Sequence, residues 1–353
     1  MNDLVFYRGK HVFLTGHTGF KGMWLTMLLL RAGAEVTGYA LDAPTPEGAE
    51  TLRRLGILDE IRSVHGDVRD LAALRAAFDR ASPEVVFHLA AQPIVRTGYA
   101  APVDTFTVNV MGTVNLLECV RTSDTARSVL VVTTDKVYEN REWAWGYREC
   151  DRLMGRDPYA ASKSCAEIAV HSYRESYFAD GAVRLSTARA GNVIGGGDFA
   201  PDRIVPDCIR AALRGTVIDI RNPASTRPYQ HVLEPLAAYL AITARQAEDA
   251  RFVGAWNVGP DDADCVTTGA LADLFCAAWG EGLRWRTAGD GGPHEAHFLK
   301  LDASKLRAEM NLYPRWDIRT AVTQTVRWAK AWQADADMRD FSARQIRTFL
   351  AQG

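Results

Sequence analysis

This chain has no apolar run long enough to cross a bilayer. Its densest apolar stretch, Met23 to Leu30, is interrupted by Thr26 and falls well short of the ~18–20 residues a span requires. The start, Met1-Asn2-Asp3-Leu4, carries neither a basic segment nor the apolar core of a secretory signal. There is no excess of either charge: 41 Lys and Arg against 43 Asp and Glu leave a net −2, with the two signs interspersed. Such a balance makes no field for nucleic acid or an anionic membrane, and neither is expected as a partner. The six cysteines (Cys119, Cys150, Cys165, Cys208, Cys265, Cys276) form no C-x-x-C pair, which excludes a disulfide framework and the usual zinc spacings. Repeats and low-complexity segments are missing too. A cytoplasmic enzyme or binding protein is the expectation that remains. At 353 residues the chain exceeds one typical core, so two lobes are expected.

What is present begins near the amino terminus. Val12-Phe13-Leu14 reads as a strand, Gly16-His17-Thr18-Gly19-Phe20-Lys21-Gly22 as a tight turn, and Met23 to Leu30 as a helix stopped by Gly33. A strand, a glycine turn and a helix N-terminus form a cradle for a dinucleotide pyrophosphate: backbone N–H groups and the positive helix end face the phosphates. The spacing is G-x-x-G-x-x-G. Gly16, Thr18, Gly19, Phe20 and Gly22 are the expected cofactor contacts.

The pattern continues as alternating strands and helices. Strands are expected at Glu35 to Leu41, Ser63 to Val68, Glu84 to Ala91 and Ser128 to Thr134, with helices ending near Leu58, over Leu71 to Ala81 and around Thr107 to Thr122. Runs as apolar as Val129-Leu130-Val131-Val132 belong to a parallel sheet covered on both faces. The fold class is therefore α/β, a Rossmann-like doubly wound parallel sheet with ligand at its carboxyl edge, joined to a smaller mixed α/β lobe. The dinucleotide-binding part is expected over 1–189 plus roughly 230–258, and the second lobe over 190–229 and roughly 259–353. A helix around Pro235 to Gln246 returns the chain to the main sheet, and the last regular helix is placed at about Ile318 to Gln333.

Asp157-Pro158 caps a helix that carries Tyr159 and Lys163 one turn apart on one face. Thr134 is placed at the end of the last parallel strand. To act as a base near neutral pH a tyrosine must fall by roughly three units, about 4 kcal/mol. One ammonium about 4 Å away supplies approximately that at an effective dielectric near 20. Thr134 then orients the reacting hydroxyl.

These residues resemble the extended short-chain dehydrogenase/reductase family over nearly the whole chain. The strings Thr15 to Gly22, Thr133-Thr134-Asp135-Lys136-Val137-Tyr138, Arg189 to Asp198 and Arg227 to Pro235 are similar, more narrowly, to the CDP-glucose branch of its nucleotide-sugar 4,6-dehydratases. The resemblance implies an NAD-dependent, redox-neutral dehydration of a nucleotide-linked glucose, CDP-glucose in that branch, to the 4-keto-6-deoxy sugar. Tyr159 and Lys163 then act on O4 and touch the cofactor, and Asp135 is the acid for the departing hydroxyl. Most nucleotide-sugar dehydratases carry a glutamate base where this chain has Lys136. Lys136 is then either a proton acceptor of lowered pKa or a cation that steadies the enolate. Asp67, Val68, Leu89, Ala90 and Gln92 match the family's cofactor contacts, and Asn192, Arg203 and Arg227 its sugar-nucleotide contacts. A homodimer or dimer of dimers, through the Tyr159 helix and the helix around Thr107 to Thr122, is likewise implied.

The second strand has Ala40 where an acid often holds the ribose, with Asp42 two residues later. No arginine stands there for a 2′-phosphate, so NAD is expected over NADP, and bound loosely. His294-Glu295-Ala296-His297 is not H-E-x-x-H and follows Gly291-Gly292-Pro293, so no metal site is assigned. His88 and His171 read as structural. Three other readings stay in play: a 4,6-dehydratase of another nucleotide-linked hexose, a nucleotide-sugar 4-epimerase or reductase, which needs no acid–base pair beside Thr134, and an NAD-binding regulator without turnover, which has no use for Tyr159 and Lys163.

Overall fold

The computed structural model describes residues 3–289 and 297–352; His294 and Glu295 lie outside them. Five strands open the chain: β1 (His11–Thr15), β2 (Glu35–Ala40), β3 (Arg62–His65), β4 (Val85–His88) and β5 (Ser128–Val132). Between them run α1 (Phe20–Arg31), α2 (Pro46–Leu55), α3 (Leu71–Ala81), α4 (Val95–Ala100), α5 (Pro102–Phe106) and α6 (Gly112–Arg121). A π-turn, Thr107–Met111, joins the last two of these helices, so the helix expected around Thr107 to Thr122 starts one wide turn late. The long α7 (Pro158–Tyr177) leads to β6 (Arg184–Ala190).

The second half supplies β7 (Val193–Ile194), α8 (Ile204–Leu213), β8 (Ile218–Ile220), β9 (Thr226–Pro228), β10 (Gln230–His231) and α9 (Leu233–Glu248). Then come β11 (Ala255–Val258), β12 (Cys265–Thr267), α10 (Thr268–Trp279), β13 (Trp285–Thr287), α11 (Ser304–Met310), α12 (Ile318–Gln333) and α13 (Met338–Leu350). The chain thus carries one more helix at its end than the sequence pattern predicts. Asp337 caps α13 by accepting from Asp340 N, and Arg54 of α2 pins the preceding turn by donating to the carbonyls of Trp332 and Ala336.

Seven strands form one sheet in the order β11-β6-β5-β4-β1-β2-β3, every pair parallel. Thr134 follows the fifth of these strands rather than the last, because β6 and β11 add to the same edge. Strand periodicity divides the apolar residues between two faces. Val12, Leu14, Val85, Phe87, Leu130 and Val132 belong to the core on the side of α1 and α9. Phe13, Val86, Val129, Val131 and Leu185 pack against α3, α6 and the Val170 face of α7. The connections place β1, β4, β5 and β6 with their carboxyl ends toward one crevice.

Among the described residues no helix is long and apolar enough to cross a membrane, and no cluster of ligating side chains fits a metal ion.

Candidate active site

The glycine turn sits where β1 feeds α1, and its three glycines serve different ends. A β-carbon on Gly16 would stand 2.8 Å from Ala90 N, and one on Gly22 2.1 Å from Gly16 O. Those two positions let the β4 loop and the first turn of α1 press onto the strand. A β-carbon on Gly19, the residue ahead of α1, would meet nothing closer than Gly16 O at 3.4 Å. The protein itself does not require glycine there. The open space at a helix N-terminus is what a pyrophosphate needs, so the cradle fits a dinucleotide.

A cavity of about 560 Å³ extends from this turn along the carboxyl ends of the strands. It gathers Gly16, Thr18, Gly19, Phe20, Gly22, Asp67, Val68, Leu89 and Ala90 with Thr134, Asp135, Lys136, Tyr159 and Lys163, and with Asn192, Arg203 and Arg227. Gln92 does not line it. Its amide donates to Thr105 Oγ1 at 2.9 Å and its Oε1 accepts from Ile94 N at 2.6 Å, so it braces the loop after β4. Thr15 braces the same loop, accepting from Leu89 N and Ala90 N. At the far end, Asp67 is gripped by Arg69, which holds its carboxyl below the usual range.

Asp157 Oδ1 accepts from Ala160 N at 3.0 Å, and Pro158 opens α7. This fixed start delivers Tyr159 and, one turn on, Lys163, both buried. Lys163 Nζ donates to Val132 O at 3.2 Å, tying the helix to the end of β5. Thr134 Oγ1 donates to Asp135 Oδ1 at 2.9 Å. Asp135 Oδ2 is buried without a hydrogen-bond partner, beside Gly191, where a β-carbon would stand 3.2 Å away. Burial raises the Asp135 carboxyl above its ordinary pKa, against the pull of Lys136 and the Thr134 hydrogen bond. A carboxyl raised in this way holds its proton more readily than a solvated one, as a proton donor must.

The tyrosine departs from the sequence-based expectation. Burial pushes the Tyr159 phenol up to about 12; the opposing influences are a side-chain hydrogen bond with Thr134 and the charge of Arg203. Burial also draws the Lys163 amine down to about 8, with Glu167 opposing it. In the protein alone, desolvation outweighs the lowering expected from a neighbouring ammonium. The cation that does act on the phenol, Arg203, comes from the other side of the cavity, where it pairs with buried Asp198 at 3.0 Å.

Sequence reasoning missed Lys21. It lies on the first turn of α1, lines the cavity, and is held at about 7 by burial and by the charges of Arg203 and Lys163. A cation at a helix N-terminus opposes the helix dipole, and that misfit was legible in Gly19-Phe20-Lys21-Gly22. Also missed was a bridge at the cavity wall, where Asp202 Oδ1 meets Arg221 Nη1 at 3.1 Å and Arg96 Nε at 3.5 Å. Of the histidines, His88 is buried between Thr15 and Thr113, whereas His171 is exposed on α7 beside Arg174.

A profile of the GDP-mannose 4,6 dehydratase family matches residues 13–260. The CDP-glucose 4,6-dehydratase of Salmonella typhimurium is 45% identical over 99% of this chain and 99% of its own length. The dTDP-glucose 4,6-dehydratase of Xanthomonas campestris pv. campestris is 27% identical, covering 89% of this chain and 92% of that protein. Among solved structures, UDP-glucose 4-epimerase of Thermus thermophilus, in complex with NAD, superposes with a TM-score of 0.78 at 24% identity, over 90% of this chain and 98% of that one. The dTDP-glucose 4,6-dehydratase of Bacillus anthracis, in complex with NAD, does so at 0.77 and 18%, over 92% and 98%. The two solved structures speak to the fold.

Proposed function

The chain belongs to the GDP-mannose 4,6 dehydratase family, and from that premise we propose that it converts CDP-glucose to CDP-4-keto-6-deoxyglucose and water. The nucleotide rests on the 45% identity to the Salmonella enzyme. The observation that carries the reaction class is the buried Asp135, fixed by Thr134 through one oxygen and with its other oxygen free of partners, in the cavity that holds Tyr159. An epimerase or reductase acting at C4 has no hydroxyl to expel and no use for that acid.

NAD is the cofactor, held over the glycine turn, and the chemistry it supplies when bound is reversible hydride transfer, first from C4 of the hexose and later to C6. Tyr159 takes the O4 proton, and Lys163 beside it offsets the phenolate charge. Thr134 orients the hydroxyl that Tyr159 deprotonates. Asp135 gives its proton to the C6 hydroxyl, which leaves as water. Lys136 is assigned the C5 side of the elimination, as proton acceptor or as the cation that steadies the enolate. Arg203 and Arg227 suit the diphosphate, since a guanidinium is always charged and forked. Asn192, two residues past β6 on the cavity wall, is assigned to the sugar nucleotide. Residues 1–189 and 230–258 hold the cofactor, and 190–229 and 259–353 the sugar nucleotide.

A second copy of the chain is the expected partner. Exposed apolar side chains lie together on α5, the π-turn and α7: Val103 is 80% exposed, Met111 48% and Ile168 57%. Pairing these helices across a two-fold axis is the arrangement proposed to bury apolar surface of this kind.

Mass spectrometry after incubation with NAD and, side by side, CDP-, UDP-, GDP- and dTDP-glucose tests the proposal. Loss of one water from CDP-glucose supports it. A converted sugar of unchanged mass points to the epimerase, and no conversion of any of the four removes the reading.

A further inference from the structure

One turn beyond Lys163 on α7 sits Glu167, its side chain 3% exposed against an Arg189 that is 4% exposed. The carboxylate accepts from Thr133 Oγ1 at 2.5 Å and Thr187 Oγ1 at 2.8 Å, and from Arg189 Nε at 2.9 Å and Nη2 at 2.8 Å. Arg189 Nη1 donates to the Tyr138 hydroxyl at 2.8 Å, which donates to Asn257 Oδ1 at 2.7 Å. One ion pair therefore joins α7 to the residue after β5, to β6 and, through Tyr138, to β11. Both neighbours of Thr133 are in use: Val132 O takes the Lys163 amine, and Thr134 holds Asp135.

Stability gives little reason for such a pair. Apolar side chains of similar volume in place of a buried ion pair are often neutral or better for folding, because desolvating two charges costs as much as their attraction returns. What apolar residues cannot do is fix α7 in depth and register through four directed hydrogen bonds, or set a negative charge beside a buried amine.

We propose that the Glu167–Arg189 pair is the positioning element of the Tyr159–Lys163 couple, locking α7 against β5 and β6 and setting a carboxylate one turn from the Lys163 amine. The inference rests on the dehydratase reading, since it concerns the same couple. Glu167 does not line the cavity and acts through Lys163, one turn away on the same helix face. The other titratable groups around Lys163 do not share the task. Lys21 of α1 is a like charge, His88 of β4 is kept neutral by burial, and Tyr159 is on the same helix, protonated when the cavity is empty of ligand.

Two variants separate position from charge. Glu167→Asp keeps the charge but withdraws it by one methylene, and Glu167→Gln with Arg189→Met removes both charges without stranding either. In Glu167→Asp, kcat for CDP-glucose is expected to fall about tenfold, with KM within about twofold and the pH profile in place, because only the geometry is disturbed. In the double variant the alkaline limb of kcat moves about one pH unit lower. The Lys163 resonance of protein labelled with 13C at the lysine ε-carbon, assigned by its loss in Lys163→Met, titrates lower by the same amount. That titration needs no turnover, so a chain inactive on CDP-glucose still reports on the pair. Should the double variant not fold, Arg189→Lys keeps the charge and loses the fork, and it is expected to repeat the Glu167→Asp result. A Lys163 titration and pH profile unmoved in the double variant, or full kcat in Glu167→Asp, overturns the proposal.

Discussion

The Thr134 hydroxyl donates to Asp135 Oδ1 at 2.9 Å, leaving Oδ2 as the buried oxygen without a partner. A carboxyl held by one oxygen, and raised by burial, presents its other oxygen as the proton-bearing one. Gly191 makes the room for it, since a β-carbon there would crowd Oδ2 at 3.2 Å. The donor thus has a fixed orientation before substrate arrives, which is how a positioned acid gains its advantage over a solvated one.

Replacing Asp135 by Asn keeps the shape and the Thr134 hydrogen bond but leaves no acidic proton. Dehydration is expected to slow by about 10²–10⁴-fold, the usual contribution of a general acid. Oxidation at C4 depends on Tyr159 and is expected to lose no more than about tenfold. Absorbance of the reduced nicotinamide in a single turnover follows the first step, and release of 18O into water from substrate labelled at the C6 hydroxyl follows the second. Equal losses in both steps would count against this role for Asp135.

The glycines of the turn separate fold from binding. Gly22→Ala forces a methyl to 2.1 Å from Gly16 O, and backbone cannot yield as a flexible side chain can. A loss of about 1–3 kcal/mol or more in unfolding free energy is expected. Gly19→Ala meets only a 3.4 Å neighbour, so its melting temperature should hold while NAD binding weakens. Thermal melts and cofactor titrations of both variants check the contrast. A Gly19→Ala protein that binds NAD as before would mean that the pyrophosphate lies elsewhere.

The same turn marks how far the sequence could be read. The β1–turn–α1 unit and the capped helix of Tyr159 follow from local rules of spacing and capping, and the structure places them as expected. Two of the failures share a cause, which is burial decided by distant parts of the chain. The strands beyond β5 escape the reading that places Thr134, because β6 and β11 carry Thr187, Arg189 and Asn257 in a buried polar network that breaks the apolar run. The expected lowering of Tyr159 leaves out its desolvation. The helix α13 is hard to read because Arg339, Asp340, Arg344 and Arg347 dilute its apolar stripe.

Acid should unfold this protein steeply. His17 is held neutral by burial at about 4, and His88 and His231 at about 3. A histidine lowered in the fold contributes stability that is complete above the unfolded value near 6.5 and lost as pH falls below it. Glu234 works in the opposite direction: burial raises it to about 7 while it accepts from Arg315 and Trp316 N–H groups, so its proton stabilises the fold as pH falls toward the ordinary carboxylate range. These four groups together contribute a slope near pH 5 of about 3 kcal/mol per pH unit, which Asp135 and Glu149, also raised by burial, lessen. Urea midpoints between pH 7 and pH 5 measure it, and Glu234→Gln, which keeps its Oε1 for both N–H donors, should steepen it to about 4 kcal/mol per unit. A flat profile would show that the three imidazoles are reached by water in the fold.

Arg203 carries the last prediction, because it stands at the meeting of the two halves of the cavity. It is paired with Asp198 at 3.0 Å, lines the cavity, and its charge opposes the rise of the Tyr159 phenol. Removing it lets burial act on the phenol with less opposition, so Tyr159 titrates higher. A base of higher pKa is deprotonated later, so the acid limb of kcat in Arg203→Gln is expected to move upward in pH. The diphosphate role predicts, separately, a higher KM for the sugar nucleotide. Arg203→Lys separates the two, because it restores the charge acting on Tyr159 but not the fork that fits a phosphate. Its pH limb should return toward that of the unaltered protein while its KM stays high. If the limb follows KM in both variants, Arg203 serves binding alone, and the phenol is activated only by what sits over the glycine turn.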